Sequence, residues 1–444
     1  MSAVTTGAST PLENALTLLE DAVSPLVGLV TGVTSRTAGT DESRLPNISC
    51  DAASIGRFHP GAAAPSGDGA HPDPRRARAA AIGESLERYS ALVVRTDELI
   101  RTTPRSLGPV AVRPERFALF HPTQYANPTF GFVPFTEQTE ALFAPAWSLP
   151  DGRQAYLPAE LVYLCPPVGD GPRIGYVTSS GLACAPTFAE AVLTALLELV
   201  ERDAVMLAWK CQLSLPLLDW SDDSDLLELE RTFFDVPGLS YSVLDGSSFL
   251  DIPVAIGVLR GNPETSPALS VGAGSAKRPA DAWLKALTEC FGVRSWLIVD
   301  SALHPDRPPL PPDQVRTFDD HMAFYAGRGN ASLTRFFDGS SVRRPIDEVA
   351  EIPGSTPTKQ IEAVCERLAR HGVTAYAVDV TAPDVRQLGL SVARVVAPEL
   401  CALDVIHTAR YQGGKRLYEA PRAAGFPTAP RDITGLTDLP HPFP

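Results

Sequence analysis

The stretch "LLELVERDAV", residues 196–205, sets Glu198, Glu201 and Arg202 into a run of leucines, valines and alanines. Buried carboxylates are costly unless something pairs them, so their place on an otherwise apolar segment asks for a reason. The same Glu-x-x-Glu-Arg spacing returns in "AIGESLERYS", residues 81–90, as Glu84, Glu87 and Arg88. Just upstream of 196–205, Thr187 and Glu190 make a capping-box pattern that opens a helix. The apolar rhythm of Leu193, Leu196, Leu197, Val200 and Leu207 carries that helix to about 210. Glu198, Glu201 and Arg202 are three and four positions apart and share one face. At about 100° per residue, Glu190 falls within about 80° of Glu198 and about 20° of Glu201, so it joins them.

A second helix opens at Asp73 and Pro74, a capping residue followed by proline in the first turn, and runs to about 94. A third opens at Pro279 and carries Glu289 with Arg294 close by. A short amphipathic helix is expected over 11–22 and another near 358–371. Strand-like runs are "QAYLPAELVYL", "LSYSVLDG", "PVAIGVLR", "ALSVGAG", "TAYAVDVT" and "SVARVVAP". "HPDRPPLPP", residues 304–312, is a proline-rich break. Strands and helices mix without a steady βαβ rhythm, which predicts an α+β fold with mixed or antiparallel sheets. No repeat with a period of 20–50 residues is visible.

The chain has 444 residues, 44% of them hydrophobic and 20% charged, enough for a large core. Its net charge of −14 argues against nucleic acid or an anionic membrane as the main partner. Seven scattered cysteines, with no Cys-x-x-Cys, fit a reducing cytoplasm better than a disulfide framework or a zinc ribbon. The N-terminus is acidic and lacks the basic start of a signal peptide, and no apolar run reaches 18 residues.

For one Glu-x-x-Glu-Arg, salt bridging on a solvated face is the ordinary account. Two copies on the most apolar helices, with Glu289 on a third, point instead to a carboxylate cluster holding Mg²⁺. Magnesium takes oxygen ligands and bridges carboxylates to phosphate, and arginine on the same face supplies a planar phosphate donor. No Walker-type Gly-x-x-x-x-Gly-Lys-Ser/Thr occurs, so such a nucleotide site is not a P-loop.

"ARAAAIGESLERYSA" and "SSGLACAPTFAEAVLTALLELVERDAVMLAW" resemble the two signature helices of the YcaO family. "VGAGSAKRPADAWLKALTECFGVR", "VDVTAPDVRQLGLSVARVVAPEL" and "GGKRLYEAP" are similar to its later segments, in the same order. The resemblance covers roughly 25–444. It implies a YcaO domain over those residues, with a proline-rich loop near 301–315, after an N-terminal extension of 1–24. It implies ATP and Mg²⁺ bound without a P-loop. Glu84, Glu87, Glu190, Glu198, Glu201 and Glu289 would hold Mg²⁺. Arg202, Ser180, Glu84 and Glu198 would contact the nucleotide. Four positions depart from the family pattern: Ser180, Gly292, Asp68 and Pro186 stand where amide or lysine side chains are common.

The chain ends "PHPFP". Prolines at 440, 442 and 444 make a stiff segment that can carry its terminal carboxylate to a defined place. This end resembles that of the azoline-forming cyclodehydratases of the family. The implied activity is ATP-dependent conversion of Cys, Ser or Thr in a ribosomal precursor peptide to thiazoline or oxazoline. Arg202 and the carboxylate of Pro444 would be the catalytic groups. Thioamide or amidine formation, and a non-catalytic scaffold role, are the alternatives. The implied partners are the precursor peptide, a separate leader-binding subunit of E1-like (ThiF-like) type and a flavin dehydrogenase, in a homodimer or hetero-oligomer. Cys184 reads as a buried small residue rather than a catalytic thiol, and His407 with Arg410 as a surface loop unless they line the site; His441 in the tail could assist proton transfer, and "GAG" at 272–274 is too weak a pattern for a phosphate loop.

Overall fold

The computed structural model describes residues 11–39, 42–56, 64–165, 173–262, 267–305, 307 and 310–444. Among them the strands form three sheets. The first is antiparallel: β1 (Val30–Arg36), β2 (Asn47–Ala52) and β3 (Ser66–Ala70). The second is built of β4 (Ile100–Thr102), β5 (Ala141–Ser148), β6 (Gln154–Pro158), β7 (Leu182–Ala185), β13 (Tyr376–Asp379) and β14 (Ser391–Val396). The third joins β8 (Leu217–Asp219), β9 (Ser240–Asp245), β10 (Val254–Arg260), β11 (Leu269–Ser275) and β12 (Arg343–Pro345), with β12 parallel to β8. This is the mixed α+β arrangement expected.

Six helices matter below: α1 (Pro11–Glu20), α2 (Pro74–Leu92), α3 (Phe188–Lys210), α4 (Pro279–Leu303), α5 (Phe318–Phe324) and α6 (Pro357–Arg370). Asp73 caps α2 by accepting from the Arg75 N–H, and Thr187 with Glu190 closes a full capping box on α3, as the sequence predicts. Helix α4 runs through Leu303, so the proline-rich loop begins later than 301. Part of that loop, residues 306, 308 and 309, lies outside the described residues. "QAYLPAELVYL" is only half a strand: after Pro158 the chain turns into a 3₁₀ helix. There the buried Glu160 accepts from the Ile174 N–H and pairs with Arg173.

The core centres on α3, whose Leu196, Val200, Leu207 and Trp209 are at most 1% exposed. Asp203, also on α3, forms a buried two-pronged pair with Arg416, with Nε and Nη2 at 2.8–2.9 Å.

Two strand–helix units repeat one another. Gly67, Gly69, Pro74, Ala77, Ala81 and Glu84 of β3–α2 correspond one for one to Gly272, Gly274, Pro279, Ala282, Ala286 and Glu289 of β11–α4. The glycines are required because the helix lies directly on the strand. A Cβ on Gly69 would stand 2.0 Å from the Ala77 carbonyl oxygen, and one on Gly274 2.3 Å from that of Ala282. The fully buried alanines make the matching flat face on each helix. "GAG" is therefore a packing strand, not a phosphate loop.

Candidate active site

The close approach of strand and helix puts a backbone N–H within reach of a helix carboxylate. Asp68 N donates to Glu84 Oε2 at 2.7 Å, and Ala273 N donates to Glu289 Oε2 at 2.5 Å, each across 16 residues of chain. Helix α3 repeats the device twice: Gly181 N donates to Glu198 Oε2 at 3.1 Å, and Ser275 N to Glu201 Oε2 at 2.8 Å. Each of the four glutamates is thus pinned by one oxygen, and the other is turned toward the cations of the cluster.

Those oxygens meet cations supplied by the chain. Arg202 reaches Oε1 of Glu198 at 3.8 Å and Oε1 of Glu201 and Glu289 at 3.6 Å each, longer than good hydrogen bonds. Arg88 pairs with Glu84 Oε1 at 2.5 Å, and Lys285 with Glu201 Oε2 at 2.8 Å. Glu87 has no hydrogen bond or ion pair among the described residues. Burial, and then the charges of Glu84 and Glu198, push its carboxyl well above the usual range. Burial also raises Glu84, Glu198 and Glu289. Glu201 goes the other way: Lys285 and Arg202 outweigh its burial.

Of the residues expected from sequence, the structure gathers Glu84, Glu87, Glu198, Glu201, Glu289 and Arg202 into this electrostatically coupled cluster. Ser180 stands at its edge, next to Gly181, with its hydroxyl accepting from Thr178 at 3.0 Å. Glu190 sits at the N-terminal end of α3, where one oxygen closes the capping box with Thr187. Asp68 contributes its N–H to Glu84 while its carboxylate accepts from Ser49 Oγ at 2.6 Å. Gly292 leaves open space: beyond its own stretch of helix, nothing lies within 4 Å of where a Cβ would stand.

Two cations were missed from sequence. Lys285 lies one helical turn before Glu289, a spacing that could have flagged it. Arg394 is the interior charge in "SVARVV" on β14 and is 4% exposed. Its Nη1 donates to the carbonyls of Thr178 and Ser180 at 2.9 and 2.8 Å, holding the turn that pins Glu198. Burial pulls its pKa down to about 10, against the pull of Glu198 and Glu87. An arginine in the middle of an otherwise apolar strand was the available signal.

The tail enters the same place. Pro444 lies with its terminal oxygen 3.4 Å from Arg202 Nη1. The segment before it is buried: Phe443 is 0% exposed, and Tyr325 Oη donates to the Pro440 carbonyl at 2.6 Å. His441 is no proton carrier, since both ring nitrogens are engaged inside the fold with the Asp404 carbonyl and the Phe443 N–H. Arg410 holds Thr437 and Asp438 just ahead of the tail. His407 is buried and its pKa is driven down to about 4. Burial pushes the Cys184 thiol far up, which removes it as a nucleophile.

The donor set fits Mg²⁺ with a triphosphate. Among the described residues no three carboxylate, histidine or cysteine side chains close on one point as a cage. A magnesium ion that keeps waters and phosphate oxygens needs only one or two carboxylates, so a cage is not required. Glu201 Oε1 and Arg202 Nε are buried without hydrogen-bond partners, and the Glu87 carboxylate has no hydrogen bond among the described residues. These are oxygen donors and a phosphate donor left unspent.

A fold of this kind, with carboxylate-bearing helices around a non-P-loop centre, defines an ATP- and Mg²⁺-binding class. The family model described as YcaO cyclodehydratase, ATP- and Mg²⁺-binding, matches residues 66–401, and the chain belongs to the YcaO family. Among solved structures it is similar to a heterocyclase in complex with substrate and cofactor (TM-score 0.79, 23% identity, 99% of this chain and 58% of that one). It is also similar to the heterocyclase TruD (0.65, 25%, 83% and 51%). A third likeness is to YcaO from Methanopyrus kandleri bound with AMPPCP and Mg²⁺ (0.62, 20%, 90% and 92%). The chain spans a little over half the length of the first two. A comparison with curated proteins finds no significant match. No helix among the described residues is long and apolar enough to cross a membrane.

Proposed function

We propose that this chain is an ATP- and Mg²⁺-dependent cyclodehydratase that converts Cys, Ser or Thr of a ribosomally made precursor peptide to thiazoline or oxazoline. The observation that carries the reading is the position of Pro444. The terminal oxygen stands at Arg202, inside the carboxylate cluster, held there by a buried tail.

Bound Mg²⁺–ATP supplies the phosphoryl group that turns the peptide's amide oxygen into a leaving group. The rest is assigned to the chain. The Pro444 carboxylate takes the proton from the attacking thiol or hydroxyl. Arg202, fixed between Glu198, Glu201 and Glu289, offsets charge developing on the transferred phosphoryl oxygens. Glu84, Glu87, Glu198, Glu201 and Glu289 would supply the carboxylates that hold the metal, with Glu190 at the rim, and Ser180 and Arg394 would shape the edge nearest the nucleotide.

The peptide is delivered by a leader-binding unit of E1-like type, and an azoline product is a substrate for a flavin dehydrogenase. Support for a further unit comes from the heterocyclases matched, whose chains are more than half as long again as this one. All seven cysteines are free thiols, which suits a cytoplasmic setting. The test is to incubate the chain, a leader-binding partner, precursor peptide and Mg²⁺–ATP. Loss of one water per modified residue, with ADP and phosphate released, is expected. Exchange of oxygen for sulfur at the backbone assigns thioamide chemistry, and no ATP turnover assigns a scaffold.

A further inference from the structure

His321, on α5, is 1% exposed and faces two carbonyl oxygens at once. Its Nδ1 lies 2.9 Å from the oxygen of His441, in the tail, and its Nε2 lies 3.2 Å from that of Val405. A neutral imidazole has one N–H, so it donates to one carbonyl and turns a lone pair on the other. Burial holds His321 below the ordinary imidazole range, which makes this a real choice near neutral pH. The shorter contact is the one to the tail.

The groups facing the ring come from every side. Asp320 is on its own helix, Asp404 and His407 are on the neighbouring segment, and His441 is on the tail. The His441 ring stacks on it at 3.9 Å and 12°, with Lys210 and Arg202 acting on His441 from beyond. His441 is itself fixed: its Nε2 donates to the Asp404 carbonyl, and its Nδ1 accepts the Phe443 N–H at 3.2 Å. Prolines at 440, 442 and 444 fix alternate φ angles. The direction of the His441 carbonyl therefore propagates three residues on, to the oxygen that meets Arg202.

We propose that His321 is a positioning residue: its Nδ1–H bond to the His441 carbonyl sets where the C-terminal carboxylate stands in the carboxylate cluster. The catalytic consequence rests on the reading of Pro444 as the base. The geometric claim does not.

Two substitutions separate the two bonds. The amide nitrogen of His321→Asn falls near Nδ1, and that of His321→Gln near Nε2. Residues 440–444 contain only two backbone N–H groups, on His441 and Phe443, so hydrogen exchange of the C-terminal peptide reports the tail alone. His321→Gln is expected to speed that exchange and lower kcat for azoline formation by about 10²-fold, with KM for ATP unchanged. His321→Asn is expected to restore both toward wild type. Equal exchange and equal kcat in the two variants overturn the proposal, as does a loss in both with a raised KM for ATP. If the wild-type chain makes no azoline, the functional reading fails, and the exchange measurement still decides the role of His321.

Discussion

Arg202 Nη1 donates to the terminal oxygen of Pro444 across 3.4 Å, joining the carboxylate face of α3 to the last atom of the chain. The same guanidinium lies near three glutamates, so the tail and the carboxylate cluster share one side chain. One glycine added after Pro444 leaves the buried contacts of 440–443 in place and moves the carboxylate by about 3 Å. Azoline formation is expected to fall by about 10²-fold. Peptide mass spectrometry under Mg²⁺–ATP checks it, and wild-type cyclisation by the extended chain removes the carboxylate from the mechanism.

Deleting residues 440–444 is a different experiment. Phe443 is fully buried beside Phe337, and the Tyr325 hydroxyl bonds to the Pro440 carbonyl. The deletion is expected to destabilise the fold by about 3–5 kcal/mol, as loss of a buried aromatic does. Urea unfolding measures this. An unchanged midpoint would mean the tail is not part of the core.

Glu198→Gln and Glu201→Gln should part company. Glu198 is pinned by Gly181 N–H and lies 3.8 Å from Arg202, so Glu198→Gln should alter stability by no more than about 1 kcal/mol and abolish Mg²⁺–ATP turnover. Glu201 is 0% exposed and answers Lys285 and Arg202 together. Removing its charge takes the carboxylate partner of Lys285 and one of the three that answer Arg202, so it should cost more stability than Glu198→Gln as well as activity. Full ATPase activity in Glu198→Gln would end its assignment as a ligand.

Glu87 gives the pH signature. Its carboxyl is raised in the folded chain by burial and by two like charges. A raised folded value means that its contribution to stability is present below the unfolded pKa of about 4.3 and lost as pH rises through the folded value. Glu87→Gln should therefore stabilise the ligand-free protein above that value, by about 1 kcal/mol, and flatten the loss on the alkaline side. It should also weaken the rise in Tm that Mg²⁺–ATP produces. Thermal unfolding against pH, with and without ligand, reads both effects. A variant less stable at every pH would mean that Glu87 has a partner after all.

The helices and their carboxylates were legible because caps and the 3.6-residue period are local. Thr187 with Glu190 and Asp73 with Pro74 mark their helices within a few residues. What brings Glu84 beside Glu289 is not local: each depends on a glycine strand lying flat on a helix. Arg394, Lys285 and His321 acquire meaning only from partners far along the chain. The prolines of "PHPFP" mark a stiff end, but nothing in it announces that Phe443 is core. The end of "QAYLPAELVYL" was misread because Glu160 looks like a polar strand position, while its partners Arg173 and Ile174 draw it into a turn.

The long contacts of Arg202 have a kinetic meaning. Arg202 answers Glu198, Glu201 and Glu289 at 3.6–3.8 Å, close enough to balance charge and too far to bond well. If the cluster holds Mg²⁺–ATP as proposed, the glutamates would hold the metal, and Arg202 would offer its N–H groups to phosphate oxygens without first breaking a good hydrogen bond. A resident counterion of this sort lowers affinity for product as well as for substrate, so it trades tight holding for rapid turnover.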